Sequence, residues 1–100
     1  MNFIKIENGK LELRKDNGSF IRTLVTHDVV RADLNDDGTL ILVTLESGKL
    51  ELRKESGSFV RNIVAQGAEN AQWNGDNILV TLENGKQELR NQSGSFIRNF

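Results

Sequence analysis

Three sets of charged side chains recur at matched positions: Glu12, Arg14 and Arg22; Glu51, Arg53 and Arg61; Glu88, Arg90 and Arg98. A guanidinium fork beside a carboxylate can hold an anionic group or the hydroxyls of a sugar, so the pattern offers one small-ligand site per repeat. The same residue types also make cross-strand ion pairs and place an Arg over a Phe ring. That structural use is the plainer reading of an arginine that returns in every copy.

Three other features could do chemistry. Asp33, Asn35 and Asp37 alternate and are followed by Gly38. Oxygen side chains at this spacing can wrap a calcium ion, the one cofactor the chain invites, and the glycine permits the sharp turn. The later copy keeps only Asn74 and Asp76, with Gln72 in place of the first aspartate, so a polar hairpin turn explains the same residues. His27, the single histidine, stands beside Asp28 and could act as a base. With no cysteine and no serine in a nucleophile-elbow pattern, catalysis is not expected. Trp73, the single tryptophan, could stack against a sugar. Its position in the strand pattern puts it on an apolar face, as core or interface filler.

These residues sit on a repeated framework. ENGKLELRKDNGSF (7–20), ESGKLELRKESGSF (46–59) and ENGKQELRNQSGSF (83–96) are three copies of one unit. Their glycines step by 48−9=39 and 85−48=37 residues, a period that marks a repeat architecture. The copies divide the chain, a single domain, at approximately 1–25, 26–64 and 65–100. Each full copy holds four short runs rich in Val, Ile, Leu, Phe and Thr. In the middle copy they are Val29–Asn35, Thr39–Glu46, Lys49–Lys54 and Ser58–Val64. Period-2 runs between Gly turns read as antiparallel strands a, b, c and d. The first copy begins inside strand b, which makes 11 strands in all.

The turns predict the register. Two-residue hairpins at Asn8-Gly9, Ser47-Gly48 and Asn84-Gly85 pair Glu7 with Lys10, Glu46 with Lys49 and Glu83 with Lys86, and set Val43 opposite Leu52. A three-residue c–d loop ending in a left-handed glycine pairs Leu52 with Val60, Glu51 with Arg61 and Arg53 with Phe59. In the first copy it pairs Leu13 with Ile21, Glu12 with Arg22 and Arg14 with Phe20. In the third it pairs Leu89 with Ile97, Glu88 with Arg98 and Arg90 with Phe96. The a–b turn sets Ala32 opposite Val43 and Leu34 opposite Ile41, and likewise Ala71 opposite Val80 and Trp73 opposite Ile78.

Composition narrows the function. The net charge is −1 with 27% charged residues, and the pI is about 5.8. That balance speaks against a nucleic-acid footprint, which needs a basic face. No stretch approaches the roughly 20 apolar residues of a membrane helix. The N-terminus lacks the charged, apolar and small-residue regions of a signal peptide and enters the repeat at once, so no leader is expected. With no cysteine, the expected location is the cytoplasm.

A four-stranded meander of about 40 residues is the blade of a β-propeller. VVRADLNDDGTLILVTLESGKLELRKESGSF resembles the FG-GAP/VCBS repeat, whose D-x-N-x-D-G turn lies between strands a and b and whose unit closes near G-x-F. It also resembles a WD40 blade in its Asp-Gly turn and its third strand, LELRK. Neither pattern is complete. Arg53 and Lys54 stand where the Trp-Asp pair would be, and the last acidic ligand of the FG-GAP loop falls on Ile41. The resemblance implies an all-β, propeller-like fold and a non-catalytic binding or scaffolding role. A lectin-like or small-ligand module and, more remotely, a hydrolase are the alternatives. Three blades do not readily close a ring, so the expected partner is a second copy that completes six. A protein or small ligand of unknown identity would then bind the ring. A β-trefoil, a barrel or a sandwich are the competing architectures.

Overall fold

The computed structural model describes all 100 residues. Eleven strands follow one another: β1 (Phe3–Glu7), β2 (Lys10–Arg14), β3 (Phe20–Val25), β4 (Val29–Leu34), β5 (Leu40–Leu45), β6 (Leu50–Lys54), β7 (Phe59–Val64), β8 (Ala68–Asn74), β9 (Asn77–Leu82), β10 (Gln87–Arg90) and β11 (Phe96–Asn99). They form three antiparallel sheets, β1–β3, β4–β7 and β8–β11, each a simple meander. These are blades 1, 2 and 3 of a propeller-like fold. β4 touches β8, and β5 also touches β8, so the first strands of successive blades gather on one side, as innermost strands do.

The core lies between the sheets. In the first seam Leu11, Leu13 and Leu24 of blade 1 meet Val29, Ile41 and Val43 of blade 2. In the second, Leu42, Leu50, Leu52 and Ile63 of blade 2 meet Ala68, Ala71, Ile78 and Val80 of blade 3. Blade 2 is therefore apolar on both faces, which is why LILVTL carries almost no alternation. Stacking two such faces removes from water an area that one small blade could not bury alone.

The a–b pairings fall where the hydrophobic pattern puts them, with Ala32 opposite Val43, Leu34 opposite Ile41 and Trp73 opposite Ile78. The c–d loops have three residues, as expected, and Arg14–Phe20, Arg53–Phe59 and Arg90–Phe96 pair. A β-bulge then follows in each copy. Leu13, Leu52 and Leu89 lie opposite Arg22, Arg61 and Arg98, and not opposite Ile21, Val60 and Ile97. The extra residue lets Leu24 and Ile63 reach the core while the arginines stay in water.

The b–c hairpins split. Blade 1 has the two-residue turn, with Glu7 opposite Lys10 and Asn8 and Gly9 at φ 52° and 78°. Blades 2 and 3 use three-residue loops closed by Leu45 N–H to Lys49 O and Leu82 N–H to Lys86 O. Leu42, and not Val43, therefore lies opposite Leu52. Burial explains the split. Aligned by glycines, Lys5 falls on Thr44, which is 1% exposed. A three-residue loop would drive the Lys5 ammonium into that slot, a costly unpaired charge. The shorter turn slips β1 by one residue and sets Ile4 and Ile6 opposite Leu13 and Leu11 instead.

Candidate functional site

The repeated charged sets divide in two. Arg14 donates from Nε and Nη2 to Glu12 Oε1 at 3.1 and 2.6 Å, and from Nη1 to the Gly18 carbonyl at 2.9 Å. Arg53 bonds Glu51 at 3.0 Å and the Gly57 carbonyl at 2.9 Å. Arg90 bonds Glu88 at 3.1 Å and the Gly94 carbonyl at 2.7 Å. Arg14 and Arg53 also lie over Phe20 and Phe59, 5.9 and 5.7 Å from the ring centres. The three arginine side chains are 22, 21 and 23% exposed. In blade 1 no other blade packs over Arg14, yet it is as shielded as Arg53, so the shielding comes from each blade's own c–d hairpin. The guanidinium fork fastens that turn, and its donors are engaged at home.

Arg22, Arg61 and Arg98 do not complete the sets. The bulge takes them away from Glu12, Glu51 and Glu88, so the anticipated Glu–Arg cross-strand pairs do not form. All three are exposed. Arg22 instead reaches the Glu55 carbonyl of blade 2 at 3.1 Å.

The candidate calcium ligands are engaged in hydrogen bonds within the protein. Asp33 Oδ2 accepts from the Trp73 backbone N–H at 2.9 Å, and its carbonyl accepts from the indole N–H at 3.0 Å. Asn35 Oδ1 accepts from Thr39 N–H at 2.9 Å and Leu40 N–H at 3.0 Å. Asp37 bonds the Thr39 hydroxyl and amide. Thr39's hydroxyl first, then its amide, hold the Asp37 carboxyl below the usual carboxylate range. No three His, Cys, Asp or Glu side chains are placed to share a metal ion. The turn is closed by its own side chains, while Asp33 ties blade 2 to blade 3.

Trp73 packs half-buried against the core of the second seam, on the apolar face. Its remaining surface lines a cleft of about 140 Å³ on the rim, with Asp36, Asp37, Asp76 and Gln92 around it. Gln92 reaches over to donate to the Asp76 carbonyl at 3.1 Å. The sequence pattern did not single out Asp36 or Gln92, and it named Asp76 only as a counterpart in the candidate calcium turn, because the cleft joins turns of two blades. A hint lay in the segments that differ between copies, THDVVRADLNDDG (26–38) and AQGAENAQWNGDN (65–77), which supply most of it. His27 Nδ1 and Asp28 Oδ2 do approach, at 2.9 Å. Both are exposed, at the mouth of a cleft of about 330 Å³ along the first seam, where Glu51 and Arg53 are already bonded to each other.

No known family profile matches the chain, and no curated protein matches it. Among solved structures it is similar to BamB from Moraxella catarrhalis, with a TM-score of 0.78 and 18% identity over 99% of this chain. The match covers 32% of that protein, so the chain spans about a third of its length. At this identity the likeness shows the fold, and the fold is that of successive β-propeller blades, fewer than a complete ring.

Proposed function

We propose that the chain is a non-catalytic binding or scaffolding module, one section of a propeller ring, whose recognition surface is the rim cleft at Trp73. One observation carries this reading. Residues repeated between copies build the blades, whereas most of the cleft lining, Asp36, Trp73 and Gln92 among it, differs between copies, with Asn35, matched by Asn74, the exception. Asp36, Asp37 and Asp76 make it negative, and the lowered Asp37 carboxyl stays ionised at neutral pH. A basic segment of a protein partner fits that charge. Trp73 is the only tryptophan, so its emission reports the cleft directly. Titration with lysine-rich peptides should shift it saturably, and Asp76→Asn should weaken the response about threefold at low salt. An emission unchanged by basic peptides argues against this assignment. Saturable quenching by oligosaccharides alone would favour the lectin-like reading, which Trp73's place on the cleft wall keeps in view.

The ring is completed, on this reading, by a second copy supplying three more blades. Half-made seams support it. An added Cβ at Gly57 or Gly94 would meet Leu24 or Ile63 of the preceding blade, but at Gly18 it meets nothing within 4 Å. Gly9 and Gly48 lie against Asp28 and Gly67 of the following blade, while Gly85 is open. A seam closed by a second copy would be wetter than the inner ones. Gln87 is exposed and bonded to Thr81 where Leu11 and Leu50 are 0% exposed.

A further inference from the structure

The two seams differ at one matched place. Thr26, His27 and Asp28 at the first correspond to Ala65, Gln66 and Gly67 at the second. The backbone match is close. The Asp28 carbonyl accepts from Glu46 N–H at 2.8 Å, and the Gly67 carbonyl accepts from Glu83 N–H at 2.9 Å. Both residues are left-handed, with φ 68° at Asp28 and 84° at Gly67. Glycine adopts that conformation freely, an aspartate only at a cost. The first seam therefore carries a strained aspartate where glycine serves the fold, and that aspartate is exposed on the first-seam cleft.

The lining of this cleft, about 330 Å³, is part apolar and part acidic. Leu24, Val25 and Leu45 supply the apolar part, Asp28 and Glu51 the carboxylates. His27 Nδ1, 2.9 Å from Asp28 Oδ2, orients the first carboxylate. Glu51 is 8% exposed, and its Oε1 accepts from Arg53. Oε2 has no partner, and no sealed side-chain polar atom of the protein is unpaired, so Oε2 is open to the cleft. The one permanent cation, Arg53, is already held by Glu51, the Gly57 carbonyl and the Phe59 ring. Two carboxylates against one engaged guanidinium leave the cleft acidic. A free carboxylate oxygen in so shielded a place accepts best from a charged donor. The second seam offers no equivalent. Its cleft, about 240 Å³, is lined by Gln66, Gly67, Leu82, Glu83 and Asn84 and does not reach Glu88.

We propose that the first-seam cleft is a second binding site, one that takes a small organic ammonium ion carrying a compact apolar group. The ammonium donates to Asp28 and to Glu51 Oε2, and the apolar group covers Leu24, Val25 and Leu45. The volume falls at the small end of ligand sites. The site shares no residue with the rim cleft at Trp73 and does not depend on how the ring is completed.

The probe is phenethylamine at low salt, followed by NMR through the methyl resonances of the full chain. Those of Leu24, Val25 and Leu45 should shift saturably, and those of their second-seam counterparts Ile63, Val64 and Leu82 should not. Phenylacetate, with the same ring and the opposite charge, should leave all of them in place. Asp28→Gly should weaken binding about tenfold, the loss of one charged hydrogen-bond partner. The same change should hold or raise the unfolding midpoint, because glycine relieves the left-handed backbone. A purely structural aspartate predicts the reverse, unchanged binding and a lower midpoint. The proposal is overturned if the three methyl-bearing residues ignore millimolar phenethylamine, if phenylacetate binds as well, or if Asp28→Gly binds unchanged. Tighter binding of a lysine-rich peptide at the same methyl groups would assign the cleft to a protein partner and overturn the small-molecule ligand.

Discussion

Arg53 and Glu51 show how a residue pattern that looks like a binding site becomes framework. Glu51 is 8% exposed and Arg53 supplies its charge partner, while the same guanidinium holds the Gly57 carbonyl. Arg53→Met removes the partner and leaves a nearly buried carboxylate. We expect a loss of about 2–3 kcal/mol in urea unfolding, below the full cost of breaking a buried pair because the arginine is a fifth exposed. A change under about 0.5 kcal/mol would return Arg53 to the list of free binding groups. Asp37 makes the second prediction. Its carboxyl lies below the ordinary 3.8, so whatever stability it contributes is present above that value and lost as pH falls through the lower folded-state value. The Thr39 amide resonance should therefore titrate below pH 3.8, and Asp37→Asn should abolish the titration. The arginine-over-phenylalanine contacts were legible from residue types. The identity of the carboxylate's partner was not, because a one-residue bulge decides it.

Elements show where local sequence stops choosing. Glu7-Asn8-Gly9 and Glu83-Asn84-Gly85 are the same tripeptide, yet the first makes a two-residue turn and the second a three-residue loop. What differs is the strand behind each, FIKIE against NILVTL, and which side chains each can bury. The a–b registers were legible because Ala32, Val43, Leu34 and Ile41 leave one apolar solution. The c–d bulges were not, since alternation alone sets Leu52 opposite Val60, whereas every copy, blade 3 included, inserts an extra residue that sets leucine opposite arginine. Gly48 tests the contact between elements. Its φ is +89°, and an added Cβ would come within 2.7 Å of the Gly67 backbone nitrogen. Across the same seam the Gly48 carbonyl accepts from Ala68 N–H at 2.9 Å. Gly48→Ala should cost about 3 kcal/mol, strain and clash together. Gly85→Ala, with φ +87° and open space, should cost only about 1 kcal/mol. Equal thermal shifts for the two would mean that the seam yields.

For the whole molecule, repetition was the strongest signal in the chain. Three copies with a period near 40 announce stacked blades, and β-propeller blades are what the chain forms. How the ends are satisfied is not written in any one copy. Gln87 is exposed where Leu11 and Leu50 are buried, and the slip of β1 turns Lys5 with Glu12 to the outer face of blade 1, so the end faces are more polar than the seams within. Gln87→Leu restores the repeated residue and should tighten self-association about tenfold, as a leucine buried at a docked face would.

The solution mass, by light scattering on a sizing column over a range of concentrations, tests the central claim most directly. A section of a ring completed by a second copy predicts a species of twice 11.2 kDa that grows with concentration. A strict monomer at every concentration would contradict it, leaving three blades that stand alone with both end faces in water.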